Sequence, residues 1–274
     1  MSSHSERNDR RKPYDPGREI RSNPRKKHSF SKGGDDAKDW IWGIHAVEAA
    51  LSNPARPAPK RLLVTADRAK RLAPEVAKLP CVQIMEGADI GRQLPQGAVH
   101  QGLALKIDEP EALSIAEIGT PAQGVLVMLD QITDPQNVGA IFRSAAAFGI
   151  RGVILQDRHA PTLSGVLAKT AVGAIDKVPH VRVVNLSRAL EELADMGWRA
   201  VGLAGEAEET LDQALDGTPT VLVLGSEGEG VRRLVAEHCD VMGKIAMPGG
   251  FESLNVSAAA AIALYEASRH SRGG

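Results

Sequence analysis

"GVLVMLDQITDPQNVGAIFRSAAAFG", Gly124 to Gly149, is the stretch that decides how this chain folds. Its first six residues are apolar without interruption, as suits a strand buried on both faces. Asp134-Pro135 then opens a helix: the aspartate can cap the first turn, and the proline stands where no N–H is needed. Gly139, Ala140 and Ser144 are small enough for another element to pack closely, while Ile141, Phe142 and Phe148 supply apolar surface. Asn137 and Arg143 are left over. Six residues apart on a helix, they lie about 9 Å apart along the axis and about 120° short of facing the same way. They are either a first-turn asparagine and a surface arginine, or two groups serving different parts of one site.

Outward from this stretch the same alternation continues. Strand-like GVILQ precedes LSGVLAKTAVGAI; VRVV precedes LSRALEELADMG; RAVGLA follows; TVLVLG precedes GVRRLVAEHC; GKIAMP precedes a helix from Leu254 to about Arg269. Apolar strands separated by helices imply an α/β fold with a parallel sheet covered on both faces. Ligands of such sheets bind at the carboxyl ends of the strands. Toward the N-terminus, "WIWGIHAVEAALSNPA" (Trp40–Ala55) reads as a helix ended by Asn53-Pro54. Strands at 61–65, 81–85 and 102–107, with helices at 70–79 and near Ile90, complete a small α/β domain over 40–108. The acidic, Pro- and Gly-bearing residues 109–122 read as a linker, and 123–274 form the larger domain.

Composition narrows the function classes. The 274 residues are 43% hydrophobic, enough to bury a core, and only 3% aromatic. No apolar run reaches the roughly 18 residues of a membrane span, and the N-terminus has no apolar signal core, so a cytoplasmic location is expected. Cys81 and Cys239 are far apart and the eight histidines are scattered, so neither a disulfide framework nor a metal site is expected. The net charge of −1 conceals an uneven distribution. Residues 1–39 are rich in Lys and Arg and poor in aliphatics, and read as a disordered basic tail. Such a tail either attracts a phosphate backbone or only solubilises the chain.

Two further polar segments sit at strand ends. "VLGSEGEGV" (Val223–Val231) places three glycines and a serine after a strand, where a ligand can approach the main chain. It lacks the lysine of a P-loop and the GxGxxG spacing, and Glu227 is equally readable as a carboxylate favoured near a helix N-terminus. "IAMPGGFESLNVSAAAAIALYEA" (Ile245–Ala267) turns at its glycines and puts Ser253 and Asn255 where the last helix begins, as caps or as site residues. That helix is alanine-rich, suited to packing against another helix or a second subunit.

Taken in order, D-x-x-x-D-P-x-N-x-G-A-x-x-R-S-A-x-x-F-G, L-G-S-E-G-x-G and E-S-L-N-V-S-x-A-x-A-I-x-L-Y-E resemble the three signature motifs of the SpoU-type RNA ribose 2′-O-methyltransferases. Upstream, WGIHAVEAAL and VHQGLAL, with the interior KTAVGAIDKVPHVRVVNL, resemble the subgroup that methylates a guanosine of bacterial 23S rRNA. Asp176 stands where glutamate is expected in that interior run.

The resemblance implies a SPOUT-type parallel-sheet domain with a trefoil knot, preceded by a small RNA-binding domain like those of ribosomal proteins. It implies S-adenosylmethionine as cofactor, bound in a bent form, 23S rRNA as substrate and a homodimer. It maps the catalytic set onto Asn137, Arg143, Glu227, Ser253 and Asn255. Gly225, Ile245 and Leu254 would contact the cofactor, with Met247 and Ala204 lining its pocket. Arg143 would activate the hydroxyl, as hydrogen-bond donor and electrostatic stabiliser, because a guanidinium stays protonated. Asn137 and Asn255 would hold Arg143 and the cofactor end in register; Glu227 would fix the substrate or the arginine. A tRNA-directed enzyme shares the three motifs, and an inactive rRNA-binding assembly factor would share the fold.

Overall fold

A computed structural model describes residues 39–249 and 253–272. The basic tail expected over 1–39 lies, but for Asp39, outside the described residues.

The small sheet comes first in the chain. Its elements are β1 (Trp40–Trp42), α1 (Ile44–Ser52), β2 (Arg61–Val64), α2 (Ala66–Ala69), α3 (Pro74–Ala77), β3 (Val82–Ile84), α4 (Gly87–Arg92) and β4 (Leu103–Lys106). The strands lie in the order β1-β4-β2-β3, with β2 and β3 parallel and the other pairs antiparallel. Two expectations change here. Trp40–Trp42 is a buried strand rather than the start of a helix, because Gly43 at φ 90° turns the chain before α1. The helix expected over 70–79 shrinks to the single turn of α3, opened by Pro74, with a separate turn, α2, before it.

Residues 109–122, read as a linker, carry α5 (Ile115–Gly119). Ser114 and Glu117 form a capping box, and Ile115 and Ile118 are buried. This segment is therefore packed against the body of the protein.

The large sheet follows. Its elements are β5 (Val125–Leu129), α6 (Pro135–Phe148), β6 (Gly152–Gln156), α7 (Gly165–Ala171), β7 (His180–Val183), α8 (Leu186–Asp195) and β8 (Arg199–Leu203). Then come β9 (Glu209–Thr210), α9 (Leu211–Ala214), β10 (Thr220–Leu224), α10 (Arg233–Ala236), β11 (Val241–Lys244) and α11 (Val256–Arg272). Seven strands in the order β7-β6-β5-β10-β8-β11-β9 pair in parallel throughout, as the apolar runs implied. The helix expected over LSGVLAKTAVGAI stops at Ala171, where Val172 and Gly173 take left-handed backbone before a single 3-10 turn. The one expected after the glycine loop shrinks to the four residues of α10.

Alternation along β5 shows how the layers assemble. Val125, Val127 and Leu129 face one buried cluster with Ile141 and Phe142 of α6, Leu167 of α7 and Leu264 of α11. Leu126 and Met128 face the other cluster, with Ile118 of α5 and Leu190 and Leu193 of α8. The first cluster also includes Ile41, Leu62 and Leu105 of the small sheet, so the two sheets share a core within a single compact unit. Among the described residues no helix is long and apolar enough to cross a membrane.

Candidate active site

Helix α6 presents the first half of the site. Asp134 caps it, accepting from the N–H groups of Gln136 at 3.1 Å and Asn137 at 3.4 Å. Gly139 faces α7 so closely that a Cβ there would stand 2.7 Å from the Leu167 carbonyl oxygen, so α6 is held tightly against α7.

Three of the expected residues meet across three segments. Glu227 Oε1 accepts from Asn255 Nδ2 at 2.8 Å, from the Val256 N–H at 3.1 Å and from Asn137 Nδ2 at 3.4 Å. Asn255 Nδ2 also donates to Asn137 Oδ1 at 3.1 Å. Glu227 does sit at a helix N-terminus, but it is that of the 17-residue α11, where the helix dipole favours a carboxylate. Asn255 Oδ1 accepts from the Ser257 N–H at 3.0 Å and so caps the same helix.

The other two members stand apart from this network. Arg143 is exposed on α6 and makes no side-chain bond with any described residue, Glu227 and Asn137 included. Ser253 precedes α11 by three residues and is exposed. The expectation that it caps the last helix therefore fails, because the helix starts at Val256 and Asn255 takes that place.

The residues expected at the cofactor gather at the ends of neighbouring strands. Ala204 follows β8, Gly225 follows β10, and Ile245 and Met247 follow β11, three strands adjacent in the sheet. Ile245 and Met247 are half-buried and Leu254 is 39% exposed. Apolar side chains beside strand-end main chain fit an adenine ring and a methionyl chain, and no phosphate-binding cation is needed. Gly225 carries a further constraint. A side chain there would overlap the backbone of Gly230 and Val231, so its missing Cβ admits the loop's own return.

Sequence reading missed the residues that hold that loop. Asp130 is completely buried at the end of β5 and accepts from the N–H of Arg232 at 2.9 Å and from its Nε at 2.8 Å. Arg232 thereby ties the glycine loop to the entrance of α6. An aspartate ending an apolar strand was the available signal, but its partner 102 residues later was not readable. Among the described residues no cluster of three or more His, Cys, Asp or Glu could hold a metal ion. Both cysteines are free and partly buried, and burial pushes the Cys239 thiol up to about 12.

Comparison with known proteins bears on both sheets. Residues 124–265 match the model of the SpoU rRNA Methylase family, and residues 40–113 match that described as RNA 2′-O ribose methyltransferase substrate binding. A protein of Pseudomonas aeruginosa named 23S rRNA (guanosine-2′-O-)-methyltransferase RlmB is 38% identical over 244 residues, covering 82% of this chain and 94% of that protein. Its namesake in Photorhabdus laumondii is 39% identical over 242 residues, covering 84% and 97%. In fold, the chain is similar to an AdoMet-bound rRNA methyltransferase of Sinorhizobium meliloti, with a TM-score of 0.73 and 24% identity over 84% of this chain and 87% of that one.

Proposed function

The chain belongs to the SpoU rRNA methylase family, and from that premise we propose that it methylates the 2′-hydroxyl of a guanosine ribose in bacterial 23S rRNA, with S-adenosylmethionine as methyl donor. The observation that carries this reading is the network of bonds among Asn137, Glu227 and Asn255, with Arg143 on the helix of Asn137 and without a side-chain partner among the described residues. Relatives that this chain matches over nearly their whole length are named for that reaction.

When bound, S-adenosylmethionine supplies a methyl group made electrophilic by its sulfonium. Ile245, Met247 and Leu254, with the main chain at Ala204 and Gly225, would hold it at the ends of β8, β10 and β11. The protein's remaining work is orientation and charge. Arg143 donates to the ribose 2′-oxygen and a neighbouring phosphate, and so stabilises the alkoxide that develops there. A guanidinium is a donor and not a base, so the 2′-hydroxyl proton passes to solvent water as the methyl group is transferred. Asn137 and Asn255 keep the Glu227 carboxylate fixed through Oε1, and Oε2, which no described residue occupies, faces the substrate. Ser253 lies at the entrance beside Leu254. Holding reacting groups in line is worth roughly 7–11 kcal/mol in favourable cases.

Finer features of this reading follow the family. Residues 40–108 form the RNA-binding domain and 123–274 the methyltransferase domain. A trefoil knot is supported by the order β5-β10-β8-β11, in which α11 returns from beyond β8 to lie on β5, β10 and α6. A homodimer is supported by Ile262 and Tyr265, which α11 leaves 44% and 50% exposed. The enzyme acts in the cytoplasm, on 23S rRNA either free or in a ribosomal precursor.

Incubation with labelled S-adenosylmethionine and, separately, unmodified 23S rRNA fragments and tRNA tests the reading. Label in rRNA at a guanosine ribose is expected. Label confined to tRNA would move the substrate to the sister activity, and no label in either would leave an rRNA-binding assembly factor.

A further inference from the structure

The small sheet carries a basic cleft that the methyl-transfer chemistry does not use. At the carboxyl end of β2, the turn after Val64, Gly87 and the turn His100–Gly102 enclose about 400 Å³, lined by Thr65, Asp67, Arg68, Arg71, His100 and Gln101. Backbone strain shapes this floor. Gln101 sits at φ 56° and Gly102 at φ 81°. A Cβ on Gly102 would stand 2.7 Å from Thr65 Oγ1 and 2.9 Å from Arg68 Cγ, so glycine is what lets Arg68 lie across the turn.

Three side chains that line it carry donors without an acceptor among the described residues. The Gln101 carbonyl accepts Arg68 Nε at 3.1 Å, which orients the guanidinium and leaves its two terminal nitrogens without a partner among the described residues. His100 Nδ1 accepts the Gly102 N–H at 3.1 Å, so the ring proton is on Nε2, again without a described partner. Arg71 is exposed and its side chain bonds to none of the described residues. The one carboxylate of the cleft, Asp67, is 90% exposed and leans toward Lys70 at 3.5 Å. Planar and NH donors at the mouth of an open cleft match the oxygens of a phosphodiester.

The cleft is mechanically joined to the active site. Gln101 Oε1 accepts Lys169 Nζ of α7 at 3.0 Å and the Ile44 N–H at 3.3 Å. Helix α7 in turn packs against Gly139 of α6, the helix that carries Asn137 and Arg143. RNA held at the cleft is thus registered against the methyl-transfer site through a single intervening helix.

We propose that this cleft binds a backbone phosphate of the RNA substrate, away from the ribose that is methylated, with Arg68, Arg71 and His100 Nε2 as donors. The proposal rests on the RNA methyltransferase reading above. The test uses the full-length protein and a labelled 23S rRNA fragment, with affinity followed across a salt titration. Arg71→Gln and the double variant Arg68→Gln/Arg71→Gln are compared with Lys70→Gln, which removes the same charge one residue outside the cleft.

The double variant is expected to raise the RNA Kd on the order of tenfold and to make the plot of log affinity against log salt shallower by about 0.7 per lost contact. KM for RNA rises in parallel, while the affinity for S-adenosylmethionine stays unchanged. A Kd and a salt slope equal to those of Lys70→Gln would overturn the site. Because the Arg71 side chain bonds to none of the described residues, Arg71→Gln alone keeps this outcome readable. Failure of the unsubstituted protein to bind or methylate RNA would instead overturn the enzymatic reading, and this site with it.

Discussion

Arg143 is the residue on which the chemistry is most exposed to test. Its guanidinium makes no bond with the described residues, so replacing it disturbs little of the fold. Arg143→Lys is expected to lower kcat by at least about a hundredfold, as loss of a positioned donor to a developing oxyanion does, while S-adenosylmethionine affinity by calorimetry stays within a factor of two of the parent, roughly the scatter of such context-dependent terms. Full turnover in that variant would remove the role. His180 gives a residue-scale prediction of another kind. It is buried at 3% exposure, and burial first, then the Arg182 and Arg56 cations, push its pKa down to about 4. The folded state thus binds this proton less readily than the unfolded chain, whose histidine titrates near about 6.5. Its contribution to stability is complete above that value and is lost as pH falls through the window from about 6.5 to 4. By pH 5 the loss is on the order of 2 kcal/mol, measurable by urea unfolding, and His180→Gln should flatten this part of the profile. The sequence singled out Arg143, Asn137 and Asn255 as candidates because polar groups in motifs stand out. It could not show His180, whose burial and whose neighbour Arg56 come from distant segments.

At the scale of elements, a buried ion pair links the small sheet to the large one. Asp176, the departure from the expected glutamate, accepts from Arg56 Nε and, at 3.1 Å, from its Nη2, with side-chain exposures of 1% for Arg56 and 4% for Asp176. Asn53 Nδ2 adds a bond to the same carboxylate at 2.9 Å. The WGIHAVEAAL helix therefore ends on the turn that follows α7. Arg56→Met leaves a buried carboxylate unpaired and should cost about 3–5 kcal/mol in urea unfolding. Adding Asp176→Leu should recover most of that loss, because two apolar side chains can replace a buried pair at little net cost. No recovery would mean that the pair acts by shape and not by charge. Element identity was legible where apolar runs were long, as in β5, β6 and β10. It failed at Trp40–Trp42 and at residues 109–122, where a three-residue strand and a five-residue capped helix are too short for periodicity to register.

For the whole molecule, the proposed homodimer predicts a sedimenting mass near twice the 29.1 kDa of the chain, and Ile262→Asp, on the exposed face of α11, should shift it toward one chain. An unshifted mass would place the interface elsewhere. Much of the architecture was determined by sequence alone: alternating apolar strands and helices require a covered parallel sheet, and three motifs in order identify the family. Short-range physics suffices for that, because burial period, caps and turns are local properties. Tertiary structure alone decided which polar residues meet. Asn137, Glu227 and Asn255 lie on three separate segments, and only the placement of β10 beside β5, with α11 folded back over both, brings Glu227 to the start of α11. Likewise Gly225 proved necessary to its own loop, and Asp130 found Arg232 across the sheet. A hydrogen bond acts over about 3 Å, and no one-dimensional pattern encodes which residues, 28 or 118 positions apart, will come that close.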